Sequence, residues 1–144
     1  MSPLGDTCLL CLGNYEIAIP KNAPVSTTIT KRNSNIADQK IYTHWNVDLG
    51  DFYFQIHLSS DPLSRLKVFI EKSTKTAVVI ESLNVNEIPG KKWGDYSSPR
   101  TWIDWWFRKD ELTLCLNLQS TIYPFAPPSE RDKLLHDAII QSIS

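Results

Sequence analysis

Apolar and polar residues alternate with a period of two along much of the chain, the pattern of strands with one buried face. The first such stretch is Thr7 to Leu12, continued after Gly13-Asn14 by Tyr15 to Ile19, where Tyr15, Ile17 and Ile19 share a face. Gly13-Asn14 predicts a two-residue hairpin turn or a bulge within one long strand, and Pro20 ends the pattern. Val25 to Lys31 mixes polar and β-branched residues as an exposed edge strand does, and Arg32 to Gln39 is polar enough for a loop. Ile41 to Val47 and Asp51 to Leu58 form an expected antiparallel pair about Asp48-Leu49-Gly50. In the second member Phe52, Phe54, Ile56 and Leu58 face one way, and Tyr53, Gln55 and His57 the other.

The period then changes. Ser60-Asp61-Pro62 reads as a helix start, and Leu63, Leu66, Phe69 and Ile70 follow at helical spacing, which predicts a helix from about Pro62 to Lys72. Ala77 to Ile80, extending towards Val85 and Ile88, is β-branched and predicts one or two strands. Pro89-Gly90 opens a polar stretch, Lys91 to Pro99, that reads as a loop. Thr101 to Phe107 and Leu112 to Leu118 form a hairpin about Lys109-Asp110-Glu111, with Leu112, Leu114, Leu116 and Leu118 on one face and Thr113, Cys115 and Asn117 on the other. Pro124, Pro127 and Pro128 break the chain before Ser129, an N-cap with Asp132 three residues on. Leu135, Ala138, Ile139 and Ile143 then form the apolar stripe of a C-terminal helix, with His136 beside it as a surface or boundary residue. The expectation is one α+β domain over residues 1–144, a mainly antiparallel sheet of five to eight strands with two helices.

A chain of 144 residues with 42 % hydrophobic content can bury one core without a metal or disulfide staple. Fifteen basic and 16 acidic residues leave a net charge of -1, which removes the electrostatic footprint of a nucleic-acid binder. No apolar stretch approaches the roughly 20 residues of a membrane-spanning helix. Met1 to Asp6 has no positive region of a signal peptide. The chain as written would stay in the cytoplasm, or would be periplasmic if an export signal had been removed. Cys8, Cys11 and Cys115 make an odd count. The C-x-x-C spacing has no second half-site, so these read as small apolar residues of buried strands, with a disulfide joining two of them as the alternative.

No constellation for catalysis stands out. His44 and His57 lie on neighbouring predicted strands, and Asp48, Asp51 or Cys115 could add a third zinc ligand, but no spacing demands it and no metal site is expected. There is no G-x-S-x-G elbow, and Gly90 and Gly94 lack the Lys-Ser or Lys-Thr of a phosphate loop. No enzyme activity and no cofactor is expected. The conspicuous feature is aromatic: Trp93, Tyr96, Trp102, Trp105, Trp106 and Phe107. A strand that is bulky on both faces is either a covered central strand or presents one aromatic face to a partner, where Trp, Tyr and Arg dominate hot spots.

Cys11-Leu12-Gly13-Asn14-Tyr15-Glu16-Ile17-Ala18-Ile19-Pro20, preceded by Cys8, resembles the opening of the immunity proteins that neutralise type VI secretion lipase effectors. Leu112 to Leu118, Tyr123-Pro124-Phe125 and the end Ile139-Ile140-Gln141-Ser142-Ile143 resemble the close of the PsbP/DcrB-like α+β fold. The resemblance covers about a third of the chain. It departs from the lipase-immunity family in having one domain and no signal. It implies a protein that binds a cognate toxin and occludes its active site, or a sibling that chaperones an apolar segment of a type VI effector. The residues expected to meet such a partner are Trp93, Tyr96, Arg100, Trp102 and Trp106, with Asp48 and Asp51.

Overall fold

A computed structural model describes residues 5–32, 40–96, 102–121 and 127–144. The elements in chain order are β1 (Thr7–Leu12), β2 (Tyr15–Pro20), β3 (Val25–Arg32), β4 (Lys40–Asp48), β5 (Phe52–Ser59), α1 (Arg65–Thr74), β6 (Glu81–Val85), β7 (Ile88–Asp95), β8 (Trp102–Lys109), β9 (Leu112–Ser120) and α2 (Glu130–Gln141). β1 and β2 form a two-stranded sheet. The other strands form an antiparallel sheet in the order β3-β4-β5-β9-β8-β7-β6. The chain climbs β3, β4 and β5 as neighbours, crosses through α1 to the far edge, and returns through β6, β7 and β8 until β9 pairs with β5. The architecture is α+β.

Short turns fix the registers. Gly13 carries the positive φ of the β1–β2 turn, +60°, so Gly13-Asn14 makes a hairpin rather than a bulge. Asn86-Glu87 and Asp110-Glu111 have positive φ at both central positions, the signature of I′ turns whose twist matches the flanking strands. The β4–β5 turn is held by Asp48, whose carboxylate accepts from the Gly50 N–H at 2.8 Å.

Each face of the large sheet is covered differently. On one face Val47, Phe54, Ile56, Ile103, Trp105, Phe107, Leu114, Leu116 and Leu118 form the main core with Tyr15, Ile17 and Ile19 of β2 and Ile139, Ile140 and Ile143 at α2. The chain end seals this layer: Glu16 and Ser144 exchange two backbone hydrogen bonds of 2.9 and 3.0 Å. The Tyr15 hydroxyl donates to the Leu112 and Phe107 carbonyls of the β8–β9 hairpin. On the opposite face α1 sets Leu66 and Ile70 against Trp106 and Cys115, a smaller core.

Several expectations need correction. The first helix begins at Arg65, because the Ser60 and Asp61 carbonyls are taken by Arg108 and Thr113 of the sheet and cannot start a helical ladder. Phe69 is not packed into the core but stays half exposed on α1 beside exposed Val68. Pro89 to Asp95, expected as the start of a loop, continues from Ile88 as a strand between β6 and β8; the partners on both sides outweigh its polar composition. Leu112 to Leu118 is buried on both faces, except for partly exposed Leu112 and Asn117, because α1 covers the Thr113–Cys115 side. Cys8 and Cys11 are exposed, since of β1 only Leu12 is buried; all three cysteines are free. His136 is 1 % exposed: the buried stripe of α2 runs through His136, Ile139 and Ile140, with Ile143 buried just beyond the helix, one step round from the expected stripe. The Ser129 cap holds, its hydroxyl accepting from the Asp132 N–H at 3.1 Å. Most of the expected Arg32–Gln39 loop, and Tyr123-Pro124-Phe125, lie outside the described residues.

Candidate functional site

Register places polar side chains in rows across the face that carries α1. Directly paired residues of antiparallel strands point the same way. One row runs Asp48–Tyr53–Gln119–Trp102–Asp95, through β4, β5, β9, β8 and β7. The next runs Asn46–Gln55–Asn117–Asp104–Trp93. The third, His44–His57–Cys115–Trp106–Lys91, passes under α1 at its Cys115–Trp106 segment. The first two rows lie beside the small core under α1, against which Trp93 packs; further along, Gln55 and Trp102 are exposed and Tyr53, Asn117 and Gln119 partly so.

These side chains bond to one another in sequence. The Tyr53 hydroxyl donates to Gln119 Oε1 at 2.8 Å, and Gln119 Nε2 donates to Asn117 Oδ1. Asn117 Nδ2 donates to Asp104 Oδ1 at 3.0 Å, and Trp102 Nε1 donates to Asp104 Oδ2 at 2.6 Å. The chain of donors therefore ends on one carboxylate, which the neighbouring indole draws in. Asp104 is 5 % exposed. Burial raises its pKa to about 6, opposed by the hydrogen bonds from Trp102 and Asn117.

A cleft lies at each end of these rows. The first, of about 540 Å³, is lined by Pro24, Ser26, Asn46, Asp48, Tyr53 and Thr121. The second, of about 440 Å³, is lined by Val79, Lys92, Trp93, Gly94, Asp95 and Trp102. Gly94 is required there: its φ is +99°, and a Cβ would stand 2.1 Å from the Trp102 carbonyl oxygen.

The structure brings Trp93, Trp102 and Asp48 together on this face, with exposed Asp51 in the adjoining β4–β5 turn. Trp106 is not available: it is 7 % exposed beneath α1, with Phe69 at 6.3 Å between ring centroids. Tyr96 turns to the other layer, where its hydroxyl meets His136 Nδ1 at 3.0 Å. Arg100 lies outside the described residues. Tyr53, Gln55, Asp104, Asn117 and Gln119 were not singled out by the sequence; their signal was the polar half of each strand's alternation.

His44 and His57 approach to 5.3 Å between ring centroids, and burial and His44 lower the His57 pKa to about 4. Among the described residues no three His, Cys, Asp or Glu side chains gather in a metal-holding group. No described helix is long and apolar enough to cross a membrane.

No protein-family model matches the chain, and no curated protein does. The crystal structure of PA94 from Pseudomonas aeruginosa, a protein of unknown function, is similar at 14 % identity and a TM-score of 0.35, over 81 % of this chain and 84 % of that one.

Proposed function

We propose that the protein is a non-catalytic inhibitor of the immunity type, which seats its open sheet face on a toxic effector and occludes the effector's active site. The observation that carries this reading is the bonded series Tyr53–Gln119–Asn117–Asp104–Trp102 on the part of the face beside α1, where Gln55 and Trp102 are exposed. Side chains already fixed to one another lose little rotamer freedom on association, so such a face is preorganised for a partner. Trp93 and Trp102 supply the aromatic anchors and Asp48 and Asp51 the charges that would orient it. A polar face of this kind suits a polar catalytic cleft better than an apolar helix.

Co-purification with secreted effectors, followed by hydrogen exchange on the complex, tests the reading. Protection should appear on β5, β8 and β9, and Trp102→Ala and Tyr53→Ala should each weaken capture at least tenfold. Unchanged capture by both variants would dismiss this face. A second reading, a chaperone for an apolar effector segment, draws on the exposed Val68 and Phe69 of α1. In that case Phe69→Asp would abolish capture, while Trp102→Ala would leave it intact.

A further inference from the structure

We infer that the outer side of α1 docks the protein on an anionic lipid bilayer, with Val68 and Phe69 entering the headgroup region and the basic residues around them meeting the lipid charges. This docking is independent of the effector reading. α1 needs one apolar stripe, and Leu66 and Ile70 provide it by packing on Trp106 and Cys115. The helix nevertheless carries a second apolar pair, Val68 and Phe69, which stay 54 % and 50 % exposed. Valine is a poor choice for an exposed helix position, where it loses side-chain freedom and buries nothing. The strip after the helix repeats the pattern. Val78 and Ile80 pack on the same small core, and Val79 between them is 86 % exposed. Exposed apolar residues scattered singly are ordinary, but three within one short unit mark a surface made to be covered.

The charges point to what covers it. From Arg65 to Lys75 the chain has four basic residues against one acidic, in a protein with 15 against 16 overall. Arg65 and Lys72 each stand three or four residues from both Val68 and Phe69, so cations flank the apolar pair along the helix. Lys75 follows, exposed, at the C-cap. Lys67 is paired with Glu71 at 3.9 Å, whereas Arg65, Lys72 and Lys75 form no ion pair among the described residues. Basic side chains set around projecting apolar ones match the interface of an anionic leaflet, where headgroups take the charges and acyl chains the apolar tips. An acidic protein fits less well. Val68 and Phe69 project from a convex helix, and a protein would need a pocket moulded to them, whereas lipid rearranges around them.

The test is co-sedimentation of the full chain with vesicles of phosphatidylcholine and phosphatidylserine at about two to one, against phosphatidylcholine alone, in low salt. Binding should be at least tenfold tighter to the anionic vesicles and should fade as salt is raised. Each basic residue near such a surface is worth roughly fivefold in partitioning, so Arg65→Gln, Lys72→Gln and Lys75→Gln together should weaken binding about a hundredfold. Val68→Gln with Phe69→Gln should weaken it at least tenfold. Unchanged circular dichroism and continued protection of buried Cys115 from a thiol reagent certify the fold of each variant. Lys21→Gln with Lys133→Gln, two cations at the end of β2 and on α2 in the opposite layer, should leave binding as it was. Equal binding to the two vesicles, α1 variants that sediment like the wild type, or an equal loss with the Lys21 and Lys133 pair would overturn the docking site. Capture of soluble polyglutamate that depends on Arg65, Lys72 and Lys75, without vesicle binding, would assign the surface to an acidic protein and overturn the lipid.

Discussion

Replacing Asp104 with asparagine should change the pH dependence of stability in a defined direction. Burial raises the native carboxyl from 3.8 to about 6, so between those values the native state holds a proton that the unfolded chain has released. The native state then binds more protons, and stability falls as pH rises through that window. At about 1.4 kcal/mol per pH unit, the full loss above pH 6 is about 3 kcal/mol. Asparagine carries no charge, but Trp102 Nε1 and Asn117 Nδ2 both donate to Asp104, so an amide accepts from one of them and turns its own donor towards the other, losing one hydrogen bond. The variant should therefore start about 1 kcal/mol or more below the wild type near pH 4 and lack the wild type's fall of about 3 kcal/mol as pH rises to 7.5. Burial also pushes His57 and His136 down to about 4; those neutral rings contribute stability that is complete above 6.5 and lost as pH falls towards 4. Both proteins carry these histidines, so the difference between them isolates Asp104. Urea unfolding followed by far-ultraviolet circular dichroism from pH 4 to 8 measures it. Parallel stability profiles would refute the raised carboxyl.

Three further outcomes follow from packing. Gly94→Ala forces a Cβ against the Trp102 carbonyl at a positive φ, and should cost about 2 kcal/mol or more in thermal or urea unfolding, with loss of the Trp102 indole signal position. Leu66→Ala opens the small core under α1 and should cost roughly 2–5 kcal/mol, with Trp106 emission shifting to the red. A thiol reagent should label Cys8 and Cys11 in the native protein and reach buried Cys115 only after unfolding; a third fast thiol would contradict the placement of β9.

Much of the sheet was legible because its strands announce themselves by alternation. The β8–β9 hairpin, the β4–β5 pair and the capped C-terminal helix lie where their patterns put them. β7 was not legible: Lys91-Lys92-Trp93-Gly94-Asp95 has the composition of a loop and is a strand because β6 and β8 flank it. His136 was misplaced because two stripes with the same spacing compete on α2, and the occupied one includes a polar residue that Phe52 and Tyr96 accommodate. The candidate site shows the sharper limit. Alternation assigns Tyr53 and Gln55, Trp102 and Asp104, or Cys115 and Asn117 to one face of its own strand. It does not say which strands adjoin. The row forms because α1 carries the chain to the far edge and brings β9 back beside β5, a decision made by tertiary packing.

That crossover also divides the work of folding. β3, β4 and β5 zip through neighbouring turns, as do β6, β7, β8 and β9, and each ribbon closes only small loops. Within the seven-stranded sheet, a long-range seam joins Phe52–Ser59 to Thr113–Ser120, and the main core takes residues from both banks of it. Amides along that seam should gain protection last in pulse-labelled refolding. Since Gln119 and Asn117 lie on one bank and Tyr53 on the other, the polar rows would become continuous only when the two halves meet.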